Sequence, residues 1–377
     1  MGTLPLTIAS VEARVFRYPL DAVVQTSFGV MADRPMLLVG VTDAGGATGW
    51  GEVWCNFPGV GAEHRARLID SVLAPLLVGR SFESADAAFR HLTAATEVLA
   101  IQCAEPGPFA QAIAGLDTAL WDLSGKLAGE PLWRLLGGTS ASFGVYASGL
   151  NPQSPEVLAA RRQAEGYRAF KLKVGFGAER DLGNLTALRE TLGPEVRLMV
   201  DANQGWALEQ AIDMAPKLEP FDLDWLEEPL RADRPWSEWR ALTARTAIPL
   251  AAGENLMGDA AFDTALAEGV LGVVQPDLAK WGGISACLPL AGRIGAAGSR
   301  YCPHYLGGGI GLLASAHLLA AAGGDGILEI DANPNPLREL LCGPLATVAD
   351  GRAALGGAPG LGVEPDFGAL QRFAVRH

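Results

Sequence analysis

The feature that most restricts this chain is a recurrence of position rather than of motif. After Ser140, eight short apolar segments alternate with helical stretches: VYASGL, AFKLKV, VRLMVDANQ, LDWLEEP, IPLAAGEN, GVVQPD, RYCPH and ILEID. Strands that alternate with helices pair in parallel, and eight of them close into a β/α barrel. Lys173, Asp201, Glu227, Glu254, Asp277, His304 and Glu329 mark successive segment ends. They are separated by 28, 26, 27, 23, 27 and 25 residues, close to one β/α unit each time. The C-terminal ends of barrel strands share one mouth, so seven ionisable side chains are expected in one pocket.

The first part of the chain has a different rhythm. Residues 6–18 and 36–53 alternate apolar and polar positions around a Gly45-Gly46 turn, which predicts a small antiparallel sheet. Between them, PLDAVVQTSFGVMADRP sets Pro19, Gly29 and Pro35 around Val23, Val24, Phe28, Val30 and Met31. It reads as too broken for a strand and too apolar for a solvated loop, hence as a lid. From Ala62 to Gly137 the period is helical: Ala112, Leu116, Ala119, Leu120, Leu123 and Leu127 recur at three- and four-residue steps until Gly129 and Pro131 stop the helix. The last stretch, DGRAALGGAPGLGVEPDF, has little periodicity and is expected to cross back to the N-terminal unit. With 377 residues, too many for one ordinary core, the expected division is 1–140 as an α+β capping domain, 141–345 as a modified (β/α)7β barrel carrying the site, and 346–377 as a tail on the cap.

Composition removes several functions. With 29 Lys+Arg against 42 Asp+Glu the net charge is −13, which repels a phosphate backbone, so no nucleic-acid partner is expected. Cys55, Cys103, Cys287, Cys302 and Cys342 show no paired spacing, which points to a reducing cytoplasm rather than a disulfide framework or zinc ribbon. The first twenty residues lack the order of a signal peptide, and no apolar run is long enough to span a membrane.

Asp201, Glu227 and Glu254 bring one carboxylate from each of three successive strands. A lone acid at a strand end usually pairs with Lys or Arg. Three in register, with no matching cluster of bases, call for a cation, and an all-oxygen set suits Mg²⁺ or Mn²⁺ better than zinc. Asn203 and Asn255 stand beside the first and third acids as supports. Lys171 and Lys173 alternate and so point the same way, and their proximity is expected to depress an amine pKa toward that of a working base. Asp277 and His304 end adjacent segments, where a carboxylate can hold one imidazole nitrogen and leave the other to exchange protons. Glu329, if protonated, could donate to a developing enediolate, with Asp331 as the competing candidate. Lys280 could neutralise a nearby acid. Gly307-Gly308-Gly309 before a helix could bind an anion or simply make a tight turn. His317, in an apolar helix, reads as packed, and His64, His91 and His377 suggest nothing else. No HxH at the start of the barrel, GxSxG, P-loop or GxGxxG is present.

AIAGLDTALWDLSGKLAGEPLWRLLGG, FKLKV, VDANQ, LEEP, GEN, QPDLAKWGG and the late His together resemble, over essentially the whole chain, the enolase superfamily and within it the mandelate racemase group. The resemblance implies Asp201, Glu227 and Glu254 as ligands of one Mg²⁺ per subunit. It implies Lys173 as one base with Lys171 beside it, Asp277 and His304 as a dyad on the opposite face, and Glu329 as the hydrogen-bond donor to the intermediate. Asp277 stands where the muconate lactonizing group is expected to carry lysine. The lid and VWCNFPGVG become the two capping loops that choose the substrate. The expected reaction is removal of the proton α to the carboxylate of a small acid, with dehydration of a sugar acid to a 2-keto acid the favoured outcome. Racemisation or epimerisation needs the same residues. A non-catalytic binding protein on the same fold would show a missing base or ligand, and none is missing. A homo-oligomer is expected.

Overall fold

The structure, a computed structural model, describes residues 5–25 and 29–377, with the backbone alone for 21–25 and 30. β1 (Leu6–Gln25), β2 (Val30–Asp43) and β3 (Thr48–Val53) form an antiparallel meander, and β4 (Ser81–Phe82) pairs with the start of β1. Alternation along β2 sends Leu37, Val39 and Val41 into a core with the cap helices, and Met36 and Leu38 into the main core shared with the barrel. The sheet is therefore apolar on both faces and is held between two layers.

The segment expected to be a broken lid is strand for most of its length. β1 continues past Pro19, which faces Asp33. The pairing then slips and resumes at Val24↔Met31 and Gln25↔Val30. A proline supplies no ladder N–H, so the irregularity falls where the sequence demands it, but the chain bulges there instead of leaving the sheet. Phe28 lies outside the described residues.

Helices α1 (Gly61–Leu68), α2 (Ala74–Leu77), α3 (Ala85–Gln102) and α4 (Pro106–Ala128) cover one face. The predicted stripe of α4 is buried except for its last member, Leu127, and Gly129 ends the helix in the left-handed region at φ 68°. The barrel strands are β5 (Ser142–Leu150), β6 (Ala169–Lys173), β7 (Arg197–Asp201), β8 (Leu223–Glu227), β9 (Leu250–Ala252), β10 (Leu271–Val274), β11 (Arg300–Tyr301) and β12 (Ile327–Asp331). They run parallel from β11 through β10 to β5, and β12 joins β5 to make a nearly closed ring. Tyr146, Ala169, Met199, Trp225, Ala251, Val273 and Ile327, each from a different strand, and Cys302 just past β11 pack together inside it. In the tail, β13 (Arg352–Ala354) pairs with β5, Phe367 meets the rings of Phe16 and Trp50, and β14 (Ala374–Val375) pairs with β1. Among the described residues no helix is long and apolar enough to cross a membrane.

Three buried acids join the cap to the rest of the chain, one to the tail and two to the barrel. Asp122 on α4 accepts from Trp50 N at 2.7 Å and Leu361 N at 2.6 Å and pairs with Lys126. Glu52 on β3 accepts from Gly308 N at 2.5 Å and Gly311 N at 2.9 Å, so the anion held by the glycine-rich turn is the protein's own. Asp117 accepts from Ser285 N at 2.9 Å at the start of the helix Gly283–Ala296. Its burial, against those hydrogen bonds, pushes its pKa from 3.8 up to about 7. The native state thus holds this proton more tightly than the unfolded chain does. The associated stability is complete below about pH 4 and is lost as pH rises toward 7. Urea midpoints across this window should fall less steeply in Asp117→Asn than in the parent, and equal slopes would show that Asp117 does not control the joint.

Candidate active site

Inward-facing residues recur every second position, so each step beyond the apolar layer inside the ring lifts the next side chain toward the mouth. Met199 leads to Asp201, Trp225 to Glu227, Cys302 to His304, Ile327 to Glu329 and then Asp331, and Ala169 to Lys171 and then Lys173. Glu254 breaks the count by one. Gly253, at φ 145°, turns the chain where a Cβ would meet Gln275 N at 2.6 Å. Lys173 pairs in register with Asp201, and Asp201 with Glu227.

The site residues named from the sequence meet, but at two depths. Lys171 is fully buried and touches Glu227, Glu329 Oε1 at 2.9 Å and Asp201 Oδ2 at 3.6 Å. Lys173 is nearer the mouth, with Nζ 2.5 Å from Asp201 Oδ2. Across the ring, His304 Nδ1 lies 2.7 Å from Asp277 Oδ2 and Nε2 lies 2.5 Å from Glu254 Oε2. Asp277 Oδ1 accepts from Ala279 N at 2.8 Å, which fixes the dyad to the backbone. Lys280 meets Glu254 Oε1 at 3.2 Å, the neutralising part open to it from sequence, and lies 5.0 Å over the Trp54 ring. Asn203 donates to Asp201, and Asn255 to both Glu254 and Glu228. His317 is packed as expected, accepting from Trp133 N at 2.9 Å, with burial lowering its pKa to about 4.

Two expectations about protonation are reversed. Burial works against charge on Lys171 and Lys173, yet the facing carboxylates raise both above the usual lysine value. The anions outweigh the repulsion between the two amines. Burial also resists charge on Glu329, but Lys171 and His304 hold it below the usual carboxylate range. It accepts from Ser148 Oγ, Lys171 and Tyr305 N, and so stands as an acceptor rather than a donor.

The set is oxygen-rich and short of positive charge. Glu228, unremarked in the sequence beyond its place in LEEP, is buried and adds another carboxylate. Asp201, Glu227, Glu228, Glu254, Asp277 and Glu329 face Lys171, Lys173, Lys280 and His304, a shortfall of two positive charges even with the imidazole protonated. Burial and then neighbouring acids drive Glu228 well above the carboxylate range; burial, against Lys171 and with Asp201, pushes Glu227 up to about 7. Among the described residues no three acidic, His or Cys side chains are gathered round one point. Lys173, His304 and Lys171 close on the carboxylates instead. In kind and in missing charge, the donors fit a hard divalent cation.

Above them lies a cavity of about 90 Å³ lined by Lys173, Glu254, Lys280, His304, Glu329 and Asp331 and roofed by Met31, Arg34, Trp54, Asn56 and Phe57 from the cap. Both segments expected to cap the pocket reach it. Arg34 was missed because a lone arginine beside proline carries no periodic signal.

Comparison with known proteins agrees over nearly the whole chain. Residues 10–137 match the mandelate racemase / muconate lactonizing enzyme N-terminal domain family, and residues 156–369 match the enolase C-terminal domain-like family. The chain is 30% identical to D-galactarolactone cycloisomerase of Agrobacterium fabrum, covering 98% of this chain and 99% of that protein. It is 28% identical to arabinonate dehydratase of Saccharolobus solfataricus over 92% and 93%. A crystal structure of a mandelate racemase/muconate lactonizing enzyme from Bordetella bronchiseptica RB50 matches with a TM-score of 0.93 and 60% identity, covering 98% and 99% of the two chains. A racemase from Streptomyces coelicolor A3(2) with bound magnesium matches with a TM-score of 0.86 and 30% identity, covering 98% and 100%.

The two lysines should separate on mutation. In metal-free buffer Lys171→Met leaves Glu227 and Glu329 buried beside a lost cation and should lower unfolding free energy by about 3–5 kcal/mol. Lys173→Met, nearer the mouth and with Asp201 still within reach of Lys171, should cost less. Denaturant unfolding of both variants measures this, and equal losses would contradict the difference in depth.

Proposed function

We propose that this chain, which belongs to the mandelate racemase / muconate lactonizing enzyme family of the enolase superfamily, removes the proton α to the carboxylate of a hydroxylated small acid and expels the β-oxygen to leave a 2-keto acid. The observation that carries the reading is that Lys173 and His304, two groups able to move protons, line one cavity beside a carboxylate bank short of positive charge. Asp201, Glu227 and Glu254 would hold Mg²⁺, which when bound supplies electrostatic stabilisation to the substrate carboxylate as it becomes an enediolate; the magnesium-bound racemase from Streptomyces coelicolor supports that choice of ion.

The chain's own groups divide the remaining work. Asp277, anchored to the backbone, orients His304 through Nδ1, and Nε2, which lies against Glu254 in the structure, is the nitrogen that would meet the substrate once Glu254 turns to the cation. Lys173 faces the cavity from the strand beyond β5 and serves as the other proton carrier. Lys171, held among Glu227, Glu329 and Asp201, keeps positive charge beneath the site and is a positioning residue. The α-C–H proton passes to one base and the C–H electrons form the enediolate. The β-C–O bond then breaks, His304 gives its proton to the leaving oxygen, and the enol tautomerises to the ketone. A free β-hydroxyl leaves as water, which is dehydration; a ring oxygen leaves while still attached, which opens the ring. The named dehydratase and cycloisomerase among the relatives support this shared elimination. Without a β-oxygen, return of the proton from the opposite side inverts the carbon.

The same reading places the enzyme in a reducing cytoplasm, supported by five free cysteines. It makes the enzyme a homo-oligomer, supported by exposed Val98, Leu99 and Ile101 at the end of α3.

Sugar acids incubated with enzyme and Mg²⁺ in D₂O should yield 2-keto acids carrying deuterium, and chelation should stop turnover reversibly. Lys173→Ala and His304→Asn should each lower kcat by roughly 10²–10⁴-fold while leaving the fold intact by circular dichroism. Deuterium exchange without keto product across β-hydroxy acids favours racemisation, and a double variant that still exchanges removes both residues from the mechanism.

A further inference from the structure

Arg34 projects from the cap hairpin into the cavity and is only 5% exposed. A guanidinium so deeply buried ordinarily spends all its donors on oxygen acceptors. This one does not. Nε has no partner among the described residues, Nη1 reaches only the thioether sulfur of Met31 at 3.3 Å, and Nη2 lies 3.1 Å from Asp331 Oδ2. Asp331 is itself shared: Arg338 Nη1 lies 3.6 Å away, Asn333 donates to it from its backbone N and from Nδ2, and Arg338 also turns toward Glu339 at the solvent edge. Arg34 therefore keeps unused donors and incompletely neutralised charge inside the pocket.

The position is as informative as the deficit. On β12, Glu329 marks the level of the chemistry through its contacts with Lys171 and His304. Asp331 is two residues further along on the same inward face, roughly 6–7 Å nearer the cap. That rise is about the length of a sugar-acid chain extended from the reacting end, so a substrate held by its first carboxylate brings its last carbon under Arg34. A planar guanidinium with free donors in a dry site matches a carboxylate better than a hydroxyl, because it needs charge as well as acceptors.

We propose that Arg34 binds a second carboxylate at the far end of the substrate, and that the preferred substrates are sugar dicarboxylic acids or their ring-closed forms. This deepens the elimination proposed above and rests on it for the reaction, though not for binding. Two tests separate the two. In turnover, wild-type enzyme should favour an aldaric acid over the aldonic acid of the same configuration by at least roughly a hundredfold in kcat/KM. Arg34→Met should lose most of that preference, through a rise in KM for the aldaric acid larger than any change for the aldonic acid. In binding, calorimetry with Mg²⁺ should show adipate bound more tightly than 6-hydroxyhexanoate by wild type and equally weakly by Arg34→Met. Because Arg34 braces Asp331, Arg34→Met with Asp331→Asn serves as the balanced variant if the single one is unstable. Equal wild-type handling of mono- and diacids, in turnover or in binding, overturns the assignment. Preference for adipate without turnover of any hydroxy acid keeps it and sinks the reaction instead.

Discussion

The constraint on which the rest of the site depends is charge balance in a place water reaches poorly. The ring of strands delivers six carboxylates to one mouth, and an isolated buried carboxylate is costly enough to be neutralised by whatever lies nearest. Lys171 exists for that purpose: fully buried, ringed by Glu227, Glu329 and Asp201, it cannot approach a substrate without leaving those acids bare. Lys173, two residues later, is left with one close carboxylate and a view of the cavity. Alternation along a single strand thus splits two identical side chains into one enclosed by acids and one that faces the cavity. Burial and the same shortage of positive charge show two strands along, where Glu227 and Glu228 retain protons more firmly than ordinary carboxyls.

Buried acids also assemble the two halves, by a different route. Glu52, Asp117 and Asp122 each take backbone N–H groups from another part of the chain, so they are satisfied mainly by hydrogen bonds, with Lys126 as an added counter-ion for Asp122 alone. Two of them engage the starts of barrel helices, where unpaired N–H groups and the helix dipole favour an anion. This is why the glycine-rich turn after β11 is not a ligand site. Glu52 fills it, and in doing so it pins β3 of the cap beside the segment that carries His304 and Tyr305.

Legibility followed physical range. The eight strands and the seven polar positions could be read because a β/α unit has a fixed length and alternation a fixed period. Which residues would meet was therefore visible before the structure. Protonation was not, because it depends on distances across the ring: the sequence shows Lys171 next to Lys173 but not the three acids around Lys171. The cap hairpin was misread because Pro19, Gly29 and Pro35 are local breakers, whereas the ladder between β1 and β2 is secured by pairs many residues apart and absorbs Pro19 as a slip in register. Glu228 and Arg34 escaped for a related reason. Neither position follows from periodicity, and each is significant only through what it faces.

A division of labour follows from how fully each surface is committed. At the strand ends nearly every polar atom already has a partner, and altering one disturbs several others, so this layer can carry chemistry common to many acids but has little freedom to discriminate among them. The cap contributes Met31, Arg34, Trp54, Asn56 and Phe57 from a hairpin and a connecting segment that lie outside the ring and can change without breaking its register. A reader of the substrate's far end is best built there, where one side chain's unused donors can be set against an incoming group at no expense to the catalytic layer. Arg34 stands on a hydrogen-bonded strand rather than on a free loop, which would make such a reader rigid and limit the entropy lost when a ligand is held at both ends.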